Sequence, residues 1–246
     1  APLTIEIELA PSIQPVVWSA DNLTYDVSNV RYIANLIEVG QDVSAQLRMV
    51  QEVSGGVLTL AGQTYRHFTG AVTASTGDQI INVPARVKSM KSLFFASQRA
   101  GGDIANGYCV GTGGNMKLNE YQLKIGSVVY PPTPVRVGFG AGTAAAVAPN
   151  RAEPLMELAK AWGSVGSSKG MGQLSAQTYA STEDATQGSG EVLSLTPFGL
   201  DMEAFQRVAI ESGVNTADRS LPISLILNYA VAPPATNVDV YVLADA

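Results

Sequence analysis

The chain has 246 residues, enough to bury a substantial core in one large β sandwich. Only 15% of its residues are charged and 46% are hydrophobic, against roughly 25% charged in an average soluble chain. Either neighbouring subunits cover part of the surface, or a large core is dressed in Ser, Thr and Gly. The net charge is −6, and Lys and Arg nowhere cluster along a phosphate path, which argues against direct nucleic-acid binding.

In chain order, Ala1-Pro2-Leu3-Thr4 lacks the basic and apolar regions of a signal peptide. Thr4-Ile5-Glu6-Ile7-Glu8-Leu9 alternates cleanly and predicts a strand with Ile5, Ile7 and Leu9 inside. Asn22-Leu23-Thr24 is a glycosylation sequon, a triplet common by chance and meaningful only on a secretory route. Further strands are predicted over Val30–Val39, Val57–Leu60, Thr64–Val72, Gln79–Val83, Val87–Ala96, Tyr121–Ile125 and Val192–Leu195. Turn signals separate them, among them Ser54-Gly55-Gly56, Ser75-Thr76-Gly77-Asp78 and Pro131-Pro132.

Three helices are predicted. Over Asp42–Glu52, Val43, Leu47 and Val50 form one stripe. Pro154–Trp162 places Leu155, Leu158, Ala159 and Trp162 on one face, with Pro154 at the first helical position and Gly163 ending it. That stripe should bury Trp162. The third helix is Asp201–Val208. Near the end, Leu221–Tyr229 and Val238–Val242 alternate about a Pro233-Pro234 turn and read as an antiparallel pair, the last strand being a potential exposed edge. No stretch approaches the ~18 apolar residues of a membrane helix.

About eight to ten short strands punctuated by Gly and Pro argue a sandwich or barrel, not a parallel α/β sheet. The predicted fold is therefore mainly β, an antiparallel sandwich with one to three short helices. Gly138–Asn150 and residues 163–190 are small-residue-rich loops, read as excursions from one domain spanning residues 1–246.

No catalytic, cofactor or metal residues are assigned. The one histidine, His67, sits in strand-like Tyr65-Arg66-His67-Phe68, so any Ser-His-Asp or Cys-His set has to use it. A satisfied or surface strand histidine is the simpler reading. The one cysteine, Cys109, excludes an intrachain disulfide and reads as an inert buried thiol. One His and one Cys supply too few soft ligands for zinc. Gly111–Lys117 and Gly163–Lys169 superficially suggest phosphate loops, but Met116 and Ser168 stand where Gly must precede Lys. The carboxylates Glu6 and Glu8, Glu183 and Asp184, Asp239 and Asp245 are scattered, and Glu6 and Glu8 read as a solvated strand face.

Tyr121-Gln122, Ile125-Gly126-Ser127 and Tyr130-Pro131 resemble a pattern in hexon-like jelly-roll major capsid proteins of double-stranded DNA viruses, the Polinton-like and related groups. The helix at Glu153–Trp162 stands where that family has one. Phe198–Phe205, Glu211–Thr216, Leu221–Val231 and Val238–Asp245 resemble its closing strands, and Pro84–Ser89 the start of a central one. The likeness spans roughly residues 25 to 245. Family members usually carry two jelly rolls, whereas one is visible here, so the chain reads as a single-jelly-roll relative or half of a longer polypeptide.

The resemblance implies a non-enzymatic capsid shell subunit, without cofactor, that forms trimers or pseudo-hexameric capsomers with itself and other capsid proteins. It implies location in the virion after assembly inside the host cell. The loops at 138–150 and 163–190 would then make the intersubunit contacts. Two readings compete. A carbohydrate-binding or adhesin-type β sandwich would stack sugars on aromatics such as Trp18, Tyr108, Tyr130 and Phe139, though strand aromatics are more often core. A hydrolase on a β scaffold has no visible catalytic constellation.

Overall fold

The computed structural model describes residues 4–8, 26–35, 38–57, 62–100, 116–138, 152–163, 179, 197–203 and 212–245. In chain order the elements are α1 (Gln41–Val53), β1 (Gln63–Val72), β2 (Gly77–Asn82), β3 (Met90–Arg99), β4 (Glu120–Ile125) and β5 (Val128–Arg136). They continue with α2 (Ala152–Ala161), β6 (Phe198–Asp201), β7 (Ile223–Tyr229) and β8 (Thr236–Asp245).

The strands form two four-stranded antiparallel sheets. Sheet A has the order β1-β8-β3-β6 and sheet B the order β2-β7-β4-β5. Every step from β1 to β4 and from β5 to β8 changes sheet, and only β4 and β5 are consecutive strands paired in one sheet. Eight strands wound in this order make a jelly-roll sandwich.

Period-two patterning explains the core. Along β8, Val238, Val240, Val242 and Ala244 are fully buried, and along β7 so are Ile223, Leu225, Leu227 and Tyr229. Leu93 and Phe95 of β3 and Tyr121, Leu123 and Ile125 of β4 complete the facing layers. At the centre Phe95 stacks on Phe198 with ring centroids 5.0 Å apart and meets Tyr121 edge-on at 5.1 Å. The Tyr121 hydroxyl donates to the Gly199 carbonyl at 3.3 Å, tying sheet B to sheet A through an apolar interior. Burial raises the pKa of Tyr121 well above the ordinary phenol value.

A second cluster lies outside sheet A, where α2 packs on β3 and β6 through Leu158, Ala161, Phe94 and Tyr179. Gly199 permits the approach, since a Cβ there would stand 3.0 Å from both Ala161 Cβ and Leu158 Cδ1. Ser92 Oγ donates to the Ala161 carbonyl at 2.8 Å, satisfying an acceptor in the open last turn of the helix.

Several sequence expectations need correction. β7 and β8 are not a pair: one lies in the middle of each sheet, and residues 230–235 cross between them. β8 is therefore no exposed edge, because β1 and β3 flank it. Thr4–Glu8 and the described part of Val30–Val39 form no strand, and Ile5, Ile7, Val30 and Ile33 are exposed. Asp201 closes β6 and does not start a helix, while the rest of the expected 201–208 helix from 204 onward lies outside the described residues. The Pro131-Pro132 turn is instead the middle of β5, an edge strand whose pairing with β4 jumps from Tyr130 to Val135, so the two missing donors leave no ladder bond unmade. α2 begins two residues before Pro154, which still falls in the first turn, and Trp162 lies just past its end, 48% exposed. The predicted strand at Val192–Leu195, and most of Val57–Leu60, lie outside the described residues.

Candidate functional site

His67 lies on the outer face of β1. Its Nε2 stands 3.0 Å from Asp239 Oδ1, and its ring stacks on Tyr241 with centroids 4.7 Å apart. The register explains the meeting, since His67 lies directly opposite Tyr241 across the β1–β8 ladder. Asp239 and Tyr241 alternate with the buried valines of β8, so both point away from the core. The imidazole is 48% exposed. Among the described residues no serine or cysteine completes a nucleophile–base pair with it; Cys109 lies outside them.

The other groups singled out in the sequence do not converge. Glu6 and Glu8 are exposed on a stretch without sheet partners. Glu183, Asp184 and most of the two Gly-rich loops lie outside the described residues, as do Trp18, Tyr108 and Phe139. Tyr130 packs partly buried against the core. Among the described residues no group of three His, Cys, Asp or Glu side chains is placed to hold a metal ion, and no helix is long and apolar enough to cross a membrane.

Sequence reasoning missed a buried charged cluster at one end of sheet A. Lys91 is 3% exposed, and its Nζ lies 3.3 Å from Glu203 Oε1 and 3.3 Å from Asp245 Oδ1. Ser89 Oγ donates to Asp245 Oδ2 at 2.7 Å and receives the Gly213 N–H at 3.0 Å. Ser212 Oγ donates to Glu203 Oε1. Backbone bonds fix the geometry: Met202 N–H donates to the Lys91 carbonyl at 2.8 Å, and Asp245 N–H to the Ser89 carbonyl at 3.1 Å. Lys91 sits at the irregularity in the β3–β8 register between Met90 and Ser92. The only trace in the sequence is a lysine inside an apolar strand run, Met90-Lys91-Ser92-Leu93.

Among the described residues, two apolar surfaces are exposed. On the outer face of sheet A, Tyr65 and Tyr241 are 60% and 41% exposed, beside the His67 ring. Before β1, the described residues contribute nothing to the core. Val43, Leu47 and Val50 of α1 are about half exposed, and no residue of that helix is buried.

Among the described residues, the class these features define is a jelly-roll sandwich of two four-stranded sheets with a buried Lys–carboxylate cluster and exposed apolar side chains before β1. No family model matches the chain, and no curated protein matches it. Solved structures similar to it include the major capsid protein P2 from bacteriophage PM2, at 10% identity and a TM-score of 0.34, covering 74% of this chain and 44% of that one. Others are the PBCV-1 virus capsid (10% identity, TM-score 0.36, 80% of this chain and 51% of that one) and PBCV-1 VP54 fitted into a reconstruction of the virophage Sputnik (10%, 0.37, 80% and 50%). The chain thus spans about half the length of the structures it resembles.

Proposed function

We propose that this chain is a structural subunit of a viral capsid shell and assembles as trimers or pseudo-hexameric capsomers. The observation that carries the reading is the strand order β1-β8-β3-β6 over β2-β7-β4-β5. Sandwiches of this winding serve as capsid subunits, lectins and cupins. The capsid-like pattern around Tyr121–Pro131 falls on the β4–β5 hairpin of this fold, which favours the first of the three. The exposed apolar side chains of the described residues before β1 agree, because large exposed apolar surface marks an interaction site. On this reading the protein is no enzyme, its partners are copies of itself and other capsid proteins, and it resides in the virion.

The carbohydrate-binding reading has one observation in its favour, the exposed Tyr65 and Tyr241 rings on one sheet face. Mass photometry across a dilution series, with negative-stain microscopy, separates the two. Trimers or rings with more than ~1,000 Å² buried per interface are expected of a shell subunit. A sharp monomer at micromolar concentration in every salt, retained on a glycan array, would sink the capsid reading and support the lectin.

A further inference from the structure

The Lys91 cluster joins three charged groups from distant parts of the chain in a site nearly closed to water. The side chains of Lys91, Glu203 and Asp245 are 3%, 13% and 9% exposed. A buried ion cluster is a poor source of stability, since desolvation of each charge offsets most of the attraction. The same geometry is well suited to chemistry. An amine and a carboxyl held in contact by fixed backbone need no bimolecular encounter to react, and excluding water removes the solvent that opposes condensation.

We propose that Lys91 and Asp245 form an intramolecular isopeptide bond, with Glu203 carrying the proton. The Lys91 ammonium passes one proton to Asp245 Oδ1, leaving a neutral amine beside a carboxylic acid. The Nζ lone pair attacks Asp245 Cγ, forming the C–N bond. Glu203 Oε1, 3.3 Å from Nζ, takes a second proton from nitrogen and delivers it to the departing Oδ1 hydroxyl. The C–Oδ1 bond breaks, one water leaves, and Glu203 returns to its carboxylate. The product amide keeps the third nitrogen proton and Oδ2 as its carbonyl oxygen. Nothing is oxidised or reduced, and no co-reactant is needed.

Ser89 completes the arrangement. Its hydroxyl donates to Oδ2 at 2.7 Å, the oxygen on which negative charge develops during attack. The Gly213 N–H donates to Ser89 Oγ and so directs the hydroxyl proton toward Asp245. Ser212 holds Glu203. The bond would lock β3 to β8, two neighbouring inner strands of sheet A, and it would do so whether the molecule builds a shell or binds a ligand.

Intact-mass measurement of the purified, denatured chain tests this directly. The expected mass is lower than that of the sequence by one water, and protease digestion should yield one branched peptide containing Lys91 and Asp245. A full sequence mass, or a water loss mapped to other residues, overturns the proposal. Glu203→Gln, checked for folding by circular dichroism, should show the full mass. A folded E203Q chain that still carries the link would remove Glu203 from its role. Should that variant not fold, the wild-type mass and branched peptide decide alone.

Discussion

At the scale of single residues, close approach decides where substitution is tolerated. Gly213 lies where a Cβ would stand 2.2 Å from the Met90 carbonyl oxygen, a backbone atom that cannot turn aside. Its neighbour Val214 exchanges two 2.9 Å backbone bonds with Met90, so the segment cannot retreat without breaking them. Gly213→Ala should cost about 1–3 kcal/mol, read as a lower urea midpoint with an unchanged slope.

The buried tyrosines set a limit at high pH. Burial raises the pKa of Tyr121, Tyr179 and Tyr229. In the unfolded chain they ionise near ~10, whereas the folded state holds them neutral. Their contribution to stability is thus complete below that value and is lost as the pH climbs toward the raised folded pKa. Urea midpoints should fall between pH 9 and 11, and Tyr179→Phe should flatten the fall. A midpoint independent of pH in that window would contradict the burial of these rings.

At the scale of elements, α2 shows how periodicity locates a helix without locating its contacts. Leu158, which anchors the second cluster, is fully buried. Trp162, predicted on the same stripe, sits past the helix end and leans on Phe94 with centroids 5.8 Å apart. The helix stops there because Gly163 takes φ +65 and its N–H bonds the Lys160 carbonyl. Leu158→Ala should therefore cost about 2–5 kcal/mol. Trp162→Ala should cost about 1–2 kcal/mol, since roughly half of its surface is already in water. Equal shifts in melting temperature would refute the distinction. Elsewhere, β5 was hidden by its own prolines, which read as a turn. Its place at the sheet edge, and the break in its pairing with β4 over residues 131–134, make them compatible with a strand.

For the whole molecule, the strands of the sandwich fill its core, while the described residues before β1 leave their apolar side chains in water. On the proposed function, copies of the chain cover them. Leu47→Glu with Val50→Glu in α1 should leave the melting temperature within the range of surface substitutions, about 0.5 kcal/mol. The same pair should shift mass photometry toward monomer. Unchanged assembly would remove α1 from the interface.

Composition and alternation alone determined that this is a mainly β chain, because one residue in two along β7 and β8 must face a core whatever the topology. They also located α1 and α2 through the 3.6-residue stripe. Alternation does not say which strand lies beside which. Ile223–Tyr229 and Thr236–Asp245 look like a hairpin, yet they belong to opposite sheets. Nor does a pattern distinguish apolar residues that reach the core, as Val238 does, from those that stay exposed, as Ile5 and Ile7 do. The Lys91 cluster lay furthest from view. Its members are separated by more than a hundred residues along the chain for Glu203 and again for Asp245, and only the winding of β3, β6 and β8 into one sheet brings three charges to a single buried point.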